Sequence, residues 1–282
     1  MQIIETVSYV RQVSQQINRP FGLVPTMGYL HEGHVSLVNR AKSDNESVAV
    51  SIFVNPKQFD LAEDLTGYPR NLQRDIEILE GLDVDLLFVP KVSEIYSGDH
   101  STYVNVDQIS NKLEGCSRPG HFSGVTTVVA KLFNILRPDR AYFGQKDGQQ
   151  AVIVKRFAKD LNFETEIVIV PTVRDCDGLA FSSRNSLLTE EQRKAASVIN
   201  RALSEAINLW KSGVTDSKTI RCLVENVIYM EPLARLDYVA ISDVNTLDDL
   251  KNVQQEAMIS VAVWFGDVRL IDNELIGGSR PY

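Results

Sequence analysis

The stretch Pro25-Thr26-Met27-Gly28-Tyr29-Leu30-His31-Glu32-Gly33-His34 decides the fold of this 282-residue chain. It follows the apolar run 21–24, which predicts a buried strand, and it precedes 35–41, which predicts the first turns of a helix. Unpaired backbone N–H groups and the positive end of the helix dipole meet at such a junction, so the place suits phosphate. The imidazoles of His31 and His34 can donate hydrogen bonds to phosphoryl oxygens as negative charge develops on them.

Other roles for the two histidines remain open on this segment alone. His31 and His34 could bind zinc, but the metalloprotease pattern His-Glu-x-x-His places its second histidine one residue further along. A purely structural role is the second alternative. The chain contains neither Gly-x-x-x-x-Gly-Lys-Ser/Thr nor Gly-x-Gly-x-x-Gly after a strand. Their absence disfavours a P-loop kinase and a nicotinamide dehydrogenase.

The overall charge and the cysteines bound the class of protein. A net charge of −8 argues against a nucleic-acid partner, because such proteins usually present a basic surface. No secretory signal and no apolar run of membrane-spanning length is visible, so we expect a cytoplasmic protein without a membrane partner. Cys116, Cys176 and Cys222 form no Cys-x-x-Cys pair and fit a reducing compartment, as buried side chains or inert thiols. A catalytic cysteine is the alternative.

Strand and helix patterns alternate from the start of the chain to about residue 175. The predicted strands are 21–24, 48–54, 84–89, 140–143 and 166–170, and the predicted helices include 35–42, 71–79, 125–136 and 149–161. Short apolar strands alternating with helices indicate an α/β fold with a doubly wound, Rossmann-like parallel sheet. Ligands bind such sheets at the carboxyl ends of the strands. We assign residues 1–176 to this catalytic domain.

The pattern changes after Pro171, and we assign residues 177–282 to a smaller α+β C-terminal domain, which we expect to act as a lid. Thr189-Glu190-Glu191-Gln192 is a capping box that predicts the start of a helix, and a second helix is predicted over 218–229. Strands are predicted near 236–242, 258–265 and 268–271. Asp267 separates the last two, so we expect them to pair as an antiparallel hairpin.

Polar motifs follow two other predicted strands. In the segment 142–147, Gly144 lets a ligand approach the backbone and Lys146 offers a positive charge to phosphate; a simple turn with a solvated lysine is the alternative. After the second of the predicted strands, Asn55 and Gln58 can hold a hydroxyl or a carboxylate. All of these residues follow parallel strands, so we expect them on the same edge of the sheet as the histidines.

Two further segments carry arginines. Phe181-Ser182-Ser183-Arg184-Asn185 offers two hydroxyls and a guanidinium that could close over a triphosphate; an N-cap cluster is the alternative. Arg118-Pro119-Gly120-His121-Phe122 is a turn with a cation, and for His121 a structural role is favoured over catalysis. Gln150 lies on the first turn of the helix that follows Lys146.

Taken together, these segments resemble the pantoate–β-alanine ligase family, which belongs to the nucleotidylyl-transfer superfamily with the class I aminoacyl-tRNA synthetases. The resemblance runs from residue 20 to the end of the chain. It rests on ordered motifs: Pro-Thr-Met-Gly-x-Leu-His-x-Gly-His at 25–34, Phe-Val-Asn-Pro-x-Gln-Phe at 53–59, Tyr-Pro-Arg at 68–70, Arg-Pro-Gly-His-Phe at 118–122, Phe-Gly-x-Lys-Asp at 143–147 and Ser-Ser-Arg-Asn at 182–185. It implies ATP-dependent condensation of (R)-pantoate with β-alanine through a pantoyl adenylate, with Mg²⁺ accompanying ATP, in a homodimer.

The resemblance also implies roles for individual residues. The implied catalytic residues are His34, which is the proton donor, His31, Lys146 and Arg184. The implied ATP site comprises Met27, Gly28, His31, Gly33, His34, Gly144, Gln145, Lys146, Asp147, the backbone at Val173, Phe181, Ser182, Ser183 and Arg184. The implied site for pantoate and β-alanine comprises Gln58, Gln150, Asn55 and Arg118. No protein ligand is assigned to Mg²⁺, and Asp75 is the carboxylate expected nearest to it.

The chain departs from the family pattern at a few positions. The family generally has glutamate at Gln145, a bulkier residue at Gly148, proline at Ser97 and an aliphatic residue at Phe181. None of these changes removes a charged phosphate ligand, so they bear on substrate affinity more than on the reaction. Two other functions remain as alternatives: a nucleotidyltransferase that leaves the adenylyl group on its product, and a degenerate nucleotide sensor that binds without turnover.

Overall fold

The computed structural model describes residues 1–59 and 62–277, and the chain forms two compact units. The first unit comprises Met1–Gly144 and Gln149–Pro171, and the second comprises Gln145–Gly148 and Thr172–Tyr282. The predicted domains divide after residue 176 and stay a prediction; the second compact unit starts at Thr172 and also takes in a turn from the middle of the chain. The last five residues of the predicted domain 177–282 lie outside the described residues.

The first unit contains a parallel sheet of six strands. The strands are β1 (Gln2–Ile4), β2 (Phe21–Thr26), β3 (Ser47–Ile52), β4 (Leu86–Phe88), β5 (Arg140–Gly144) and β6 (Glu166–Val170). Their order is β1-β4-β3-β2-β5-β6, and every pairing is parallel. The predicted doubly wound sheet is confirmed. Strand β1 was missed, because its three residues, of which only two are apolar, are too few to give a strand pattern in the sequence.

Helices cover both faces of this sheet. They are α1 (Val7–Ser14), α2 (Glu32–Asp44), α3 (Ala62–Gly67), α4 (Leu72–Gly81), α5 (Val92–Ile95), α6 (Glu114–Ser117), α7 (His121–Leu136) and α8 (Gly148–Asp160). Successive residues of a strand point to opposite faces. Leu23 on β2 accordingly belongs to a buried cluster with Phe133 of α7, while its neighbour Val24 belongs to another with Leu37 and Val38 of α2.

The strand order places a topological switch point beside β2. From β2 the chain proceeds through β3 to β4 on one side, then crosses through α7 to β5 on the other side of β2. In open α/β sheets, ligands bind at the carboxyl ends of the two strands that flank such a point. Those ends are Thr26 of β2 and Gly144 of β5.

The second unit combines helices with an antiparallel sheet. Its helices are α9 (Glu190–Ala195), α10 (Val198–Lys211) and α11 (Ser217–Tyr229), and its strands, in the order β7-β8-β9, are β7 (Ala234–Asp243), β8 (Ala257–Phe265) and β9 (Val268–Ile276). The predicted capping box at Thr189 and the predicted hairpin of the last two strands are confirmed. The helix predicted after the capping box is divided between α9 and α10, and β9 continues five residues beyond the predicted end at Ile271, to Ile276.

The structure also bears on the cysteines and on membrane association. Cys116, Cys176 and Cys222 are free and exposed, so the expectation of burial is wrong. Within residues 1–59 and 62–277, no helix has both the length and the apolar character that a membrane crossing requires.

Candidate active site

The loop after β2 has a backbone that few residues can adopt. Gly28 and Tyr29 have φ angles of 82° and 52°, in the left-handed region that favours glycine. A Cβ atom at Gly28 would also lie 3.0 Å from the carboxylate of Asp75 and from Ile52. The N–H of Gly28 donates to the hydroxyl of Thr26 at 3.1 Å, which closes the turn. Gly28 is therefore required here both by its φ angle and by the close approach of Asp75.

A buried carboxylate anchors the backbone of this loop. Asp75 in the first turn of α4 is 1% exposed, and its two oxygens accept the N–H groups of Tyr29 and Leu30, each at 2.8 Å. The guanidinium of Arg74 donates to the carbonyl of Leu30 at 2.8 Å. Asp75 was expected to be the carboxylate nearest Mg²⁺. That expectation stays a prediction; the structure shows both oxygens bound to backbone N–H groups, so Asp75 anchors the backbone of this loop.

His31 and His34 cap the N-terminus of α2. His31 is the N-cap residue, and its Nδ1 accepts the N–H of Gly33 at 3.2 Å. The Nδ1 of His34 in turn accepts the N–H of His31 at 3.3 Å. The two ring centroids lie 4.0 Å apart. Because Nδ1 accepts in both rings, the hydrogen-bond pattern assigns the proton of each neutral imidazole to Nε2.

This arrangement supplies N–H donors where anions bind best. The Nε2–H groups of His31 and His34 lie at the end of a helix of 13 residues, where the dipole is positive. Among the residues described, no group of three His, Cys, Asp or Glu side chains could hold a metal ion. The zinc alternative for these histidines therefore gains no support from the structure.

A second polar cluster follows β3. Asn55 is 1% exposed, and its amide group donates to Gln58 Oε1 and to the carbonyl of Gly124, both at 3.0 Å. Its carbonyl oxygen accepts the hydroxyl of Tyr96 at 2.8 Å and the N–H of Lys57 at 3.2 Å. Burial raises the pKa of Tyr96 far above its ordinary value, so the hydroxyl keeps the proton that it donates. All four hydrogen-bonding positions of the Asn55 amide are filled within the protein, which suits a residue that orients Gln58.

Gln58 connects this cluster to the histidine loop. Its Nε2 lies 3.1 Å from the sulfur of Met27, and its backbone carbonyl lies 2.7 Å from Nδ1 of His121. Gly124 of α7 makes the packing possible, because a Cβ atom there would lie 2.3 Å from the carbonyl oxygen of Lys57. His121 thus supports the backbone at Gln58, consistent with its predicted structural role.

The segment that carries Arg118 is tied to α8 by a glutamine that the sequence analysis missed. Gln149 is buried; its Nε2 donates to the carbonyls of Ile109 and Lys112 at 3.0 and 2.7 Å, and its Oε1 accepts the N–H of Glu114 at 2.9 Å. Half-buried Arg118 follows at the C-cap of α6, and half-buried Gln150 is the next residue along α8. Two consecutive glutamines at the start of a helix, one short turn after a buried strand, were the available signal.

Lys146 lies in the turn that belongs to the second unit. Its Nζ is 3.2 Å from a carboxylate oxygen of Asp147, and its side chain is 18% exposed. Asn273 of β9 binds this turn through three hydrogen bonds, to the side chain and carbonyl of Gln145 and to the carbonyl of Lys146. These bonds explain why Gln145–Gly148 groups with the second unit.

The segment that contains Arg184 is a short hairpin followed by a 3₁₀ turn. The N–H of Phe181 donates to the carbonyl of Val173 at 3.1 Å, and the hydroxyl of Ser182 accepts the N–H of Arg184 at 3.3 Å. Ser183 begins the 3₁₀ turn, which extends to Leu187. Ser182 caps this turn, and Arg184 is half-buried within it. The alternative of an N-cap cluster concerned the helix that begins at Glu190, and there Thr189 is the cap.

Two arginines attach this hairpin to the rest of the second unit. Arg174 donates to Asp272 at 2.6 Å and to Glu274 at 3.0 Å, both on β9. Burial lowers the pKa of Arg174, but its hydrogen bonds with these carboxylates outweigh burial and raise the pKa above its ordinary value. Arg193 of α9 pairs with Asp175 and Asp177 at 2.6 and 2.5 Å.

The predicted residues therefore fall into two groups. In the first unit, hydrogen bonds link Met27, Gln58 and Asn55, and others join His31, Gly33 and His34. In the second unit, Gln145 and Lys146 share Asn273, and Val173, Phe181, Ser182 and Arg184 share one hairpin. The anchors Asp75, Gln149 and Asn273 were not identified from the sequence in these roles. A buried polar residue within an apolar pattern was the signal for Asn273, but the predicted strand ended at Ile271.

Comparison with known proteins identifies the family of the chain. The profile of the family described as pantoate-beta-alanine ligase matches residues 2–275. Pantothenate synthetase of Moorella thermoacetica is 50% identical over 279 residues, covering 98% of this chain and 99% of the relative.

Two solved structures share the fold. That of pantothenate synthetase from Thermus thermophilus has a TM-score of 0.93 and 45% identity, covering 97% of this chain and 99% of the other. Pantoate-beta-alanine ligase of Francisella tularensis, solved with beta-gamma ATP and beta-alanine, has a TM-score of 0.81 and 38% identity, covering 98% and 97%. With a family profile that spans almost the whole chain and relatives that align end to end, the chain belongs to the pantoate–β-alanine ligase family.

Proposed function

We propose that the protein condenses (R)-pantoate with β-alanine at the expense of ATP, giving pantothenate, AMP and diphosphate in pantothenate biosynthesis. The observation that carries this proposal is the pair of imidazole Nε2–H donors at the N-terminus of α2, next to the switch point of the sheet. Preorganised donors at a place where phosphate charge develops are what adenylyl transfer requires. Membership of the ligase family supplies the substrates.

The reaction takes two steps. A carboxylate oxygen of pantoate attacks the α-phosphorus of ATP, and diphosphate leaves with the bridging oxygen and its electron pair. The amine of β-alanine then attacks the carbonyl carbon of the pantoyl adenylate, AMP leaves, and the new amide nitrogen loses a proton. Such chemistry needs positioning and charge stabilisation more than a protein nucleophile.

We assign the charged groups to the first step. His31 and His34 donate from Nε2 to phosphoryl oxygens, and His34 is the proton donor. Lys146 supplies a point charge, and the guanidinium of Arg184 can bind two phosphate oxygens at once. The remaining ATP contacts in this proposal are Met27, Gly28, Gly33, Gly144, Gln145, Asp147, the backbone at Val173, Phe181, Ser182 and Ser183.

Pantoate and β-alanine are assigned to the polar cluster after β3 and to the start of α8. Gln58 and Gln150 are proposed to hold pantoate, with Gln58 also facing the entry of β-alanine. Arg118 is proposed to attract the substrate carboxylates. Asn55 belongs to the same site, where its filled hydrogen bonds favour an indirect contribution through Gln58.

Mg²⁺ is proposed to enter with ATP. Its preference for phosphate and water oxygens fits a site whose nearest expected carboxylate, Asp75, has both oxygens bound to backbone N–H groups. Bound in this way, the ion neutralises charge on the phosphates. His31, His34, Lys146 and Arg184 then orient the same groups, and no side chain is assigned as a metal ligand.

Three further proposals concern the state of the protein. We propose a homodimer, which sedimentation velocity tests, and a cytoplasmic location, which fractionation of cells tests. We also propose that the C-terminal domain acts as a lid over ATP, which small-angle scattering with and without ATP tests. A radius of gyration that does not fall when ATP is added would contradict the lid.

The decisive experiment is pantoate-dependent exchange of labelled diphosphate into ATP without β-alanine. Exchange that requires pantoate would support an adenylate intermediate and identify the substrate in one assay. Its absence while ATP still binds would contradict the proposal. With β-alanine added, AMP is the expected product; an adenylylated product without AMP would favour a nucleotidyltransferase, and binding without turnover would favour a nucleotide sensor.

A further inference from the structure

One side chain of β9 holds the turn that contains Lys146. Asn273 is 4% exposed, and its amide nitrogen donates to the carbonyls of Gln145 and Lys146 at 2.9 and 2.8 Å. Its carbonyl oxygen accepts Nε2 of Gln145 at 2.7 Å. All of these residues belong to the second unit.

The partners fix the orientation of the Asn273 amide. A backbone carbonyl can only accept, so the group that faces two carbonyls must be the NH₂. The Oδ1 atom then faces Gln145, whose side chain must donate to it. This assignment leaves the Asn273 NH₂ with both of its protons engaged.

The two pinned carbonyls are the ones that flank the Cα atom of Lys146. Each belongs to a planar peptide unit, one on either side of that atom. With both planes held, the two backbone dihedral angles of Lys146 are fixed, and so is the direction in which its side chain leaves the backbone. An interaction with only one plane would leave the second free to rotate.

We propose that Asn273 is a positioning residue for Lys146, which it serves through the backbone alone. The proposal rests on the role given to Lys146 under the proposed function. The two main-chain bonds carry the effect, whereas the bond to the half-buried side chain of Gln145 is dispensable because that side chain can turn to water. A glutamate at position 145, as the resemblance implies for the family, would therefore leave Lys146 in place.

Asn273 also explains why a glycine stands at position 148. A Cβ atom there would lie 3.0 Å from Cγ and Nδ2 of Asn273 and 2.5 Å from the sulfur of Met258. A bulkier residue, as in the family pattern, would displace the amide that holds Lys146. In this chain the glycine leaves the space that Asn273 occupies.

The test compares Asn273→Leu with Lys146→Ala and with the double variant. Asn273→Leu should lower kcat/KM for ATP on the order of 10- to 100-fold, because a small misplacement of a catalytic group is costly. Calorimetric ATP affinity should fall in Asn273→Leu, yet the same substitution should add nothing in the Lys146→Ala background.

Ser260→Ala is the matched control, because Ser260 is also buried and lies directly across from Asn273 on β8. Its ATP affinity should be unchanged. Thermal unfolding separates folding from positioning, since a purely structural role would lower the Tm equally in both Lys146 backgrounds and leave ATP affinity of the folded protein alone. If Asn273→Leu does not fold, Asn273→Ala is measured in its place.

The outcomes distinguish the role of Asn273 from that of Lys146. If Lys146→Ala is impaired while folded Asn273→Leu keeps normal ATP affinity and turnover, only the positioning role of Asn273 is overturned. Additive losses in the double variant would overturn it as well. Normal turnover in Lys146→Ala would overturn the role of Lys146 and, with it, that of Asn273.

Discussion

The loop 27–34 and the hairpin 172–187 carry comparable sets of proposed phosphate contacts, but they are held in different ways. The loop is held by a buried carboxylate that accepts two backbone N–H groups, and by two imidazoles that cap a helix. The hairpin is held by ion pairs between side chains, from Arg174 to β9 and from Arg193 to the hairpin turn.

The two sets of contacts differ in how deeply they are buried and in whether they bind the backbone directly. Asp75 is 1% exposed and fixes the backbone directly, so the loop geometry is set by short, charge-assisted hydrogen bonds in a dry environment. The pairs of Arg193 are half-exposed and are screened by salt. We expect the first region to be rigid under most conditions, and the second to respond to salt and pH.

The largest expected effect tests whether both regions are needed. His34→Ala removes a donor from the loop, and Lys146→Ala removes a charge from the second unit. Each should lower turnover on the order of 100-fold or more, because each removes a group that we propose stabilises developing phosphate charge. Steady-state rates with saturating pantoate and β-alanine measure this. Lys155→Ala, an exposed lysine of α8, is the control, and near-normal turnover in either variant would contradict the assigned role.

The fold was predictable because its signals are local. Apolar runs identified β2 through β6, and the capping box at Thr189 identified the start of α9. The placement of His31 and His34 at the N-terminus of a helix was confirmed for the same reason, although the helix begins at Glu32 rather than at residue 35 and His34 lies in its first turn.

The anchors of the site were not predictable, because they join distant parts of the chain. Gln145 and Asn273 are 128 residues apart, and Asp75 reaches back 46 residues to Tyr29. Neither spacing has a periodic signature, and a carboxylate near a phosphate loop suggests a metal ligand before it suggests a backbone anchor. The grouping of Gln145–Gly148 with the second unit follows from the same long-range bonds.

The next prediction concerns the buried anchor. Asp75→Asn keeps the shape but turns one acceptor into a donor that faces a backbone N–H. We expect a loss of about 2–4 kcal/mol in the free energy of unfolding, from one lost charge-assisted hydrogen bond and one unsatisfied N–H. Urea denaturation measures it. Glu80→Gln, an exposed acid on the same helix, should change little, and a loss for Asp75→Asn no larger than for this control would show that the loop does not depend on the carboxylate.

The half-exposed ion pairs of Arg193 should contribute less to the free energy of unfolding, and their contribution should depend on salt. Arg193→Ala should lower the free energy of unfolding by up to about 1 kcal/mol at low ionic strength, because exposed pairs gain little over water. The difference from wild type should shrink in 1 M salt, where the Debye length is about 3 Å. Lys194→Ala, on the next residue of α9, should show neither effect. A loss for Arg193→Ala that is unchanged by salt would show that Arg193 stabilises the hairpin through packing rather than through charge.

The smallest expected effect is a pH dependence of the difference in the free energy of unfolding between wild type and Arg193→Ala. Hydrogen bonds from Arg193 lower the pKa of Asp177, and the N–H of Cys176 together with Arg193 lowers the pKa of Asp175. A carboxyl group whose pKa is lower in the folded state stabilises that state above its unfolded value, about 3.9, and the contribution is lost as pH falls through the folded pKa. The stability gap between wild type and Arg193→Ala should therefore be full at pH 6 and should narrow progressively below about pH 4.

The difference in the free energy of unfolding between wild type and Arg193→Ala isolates the contribution of this hairpin. Asp44 and Asp216 also have lowered pKa values, but their partners Arg40 and Thr219 are the same in both proteins, so their contributions cancel. Urea denaturation at a series of pH values measures the remaining gap. If the gap stays constant or widens in acid, the carboxylates of the turn are not what Arg193 holds. Arg174 would then be the main anchor of the hairpin, and because its partner Asp272 is nearly as buried as Asp75 in the first unit, the contrast between a buried and a half-exposed anchor would fail.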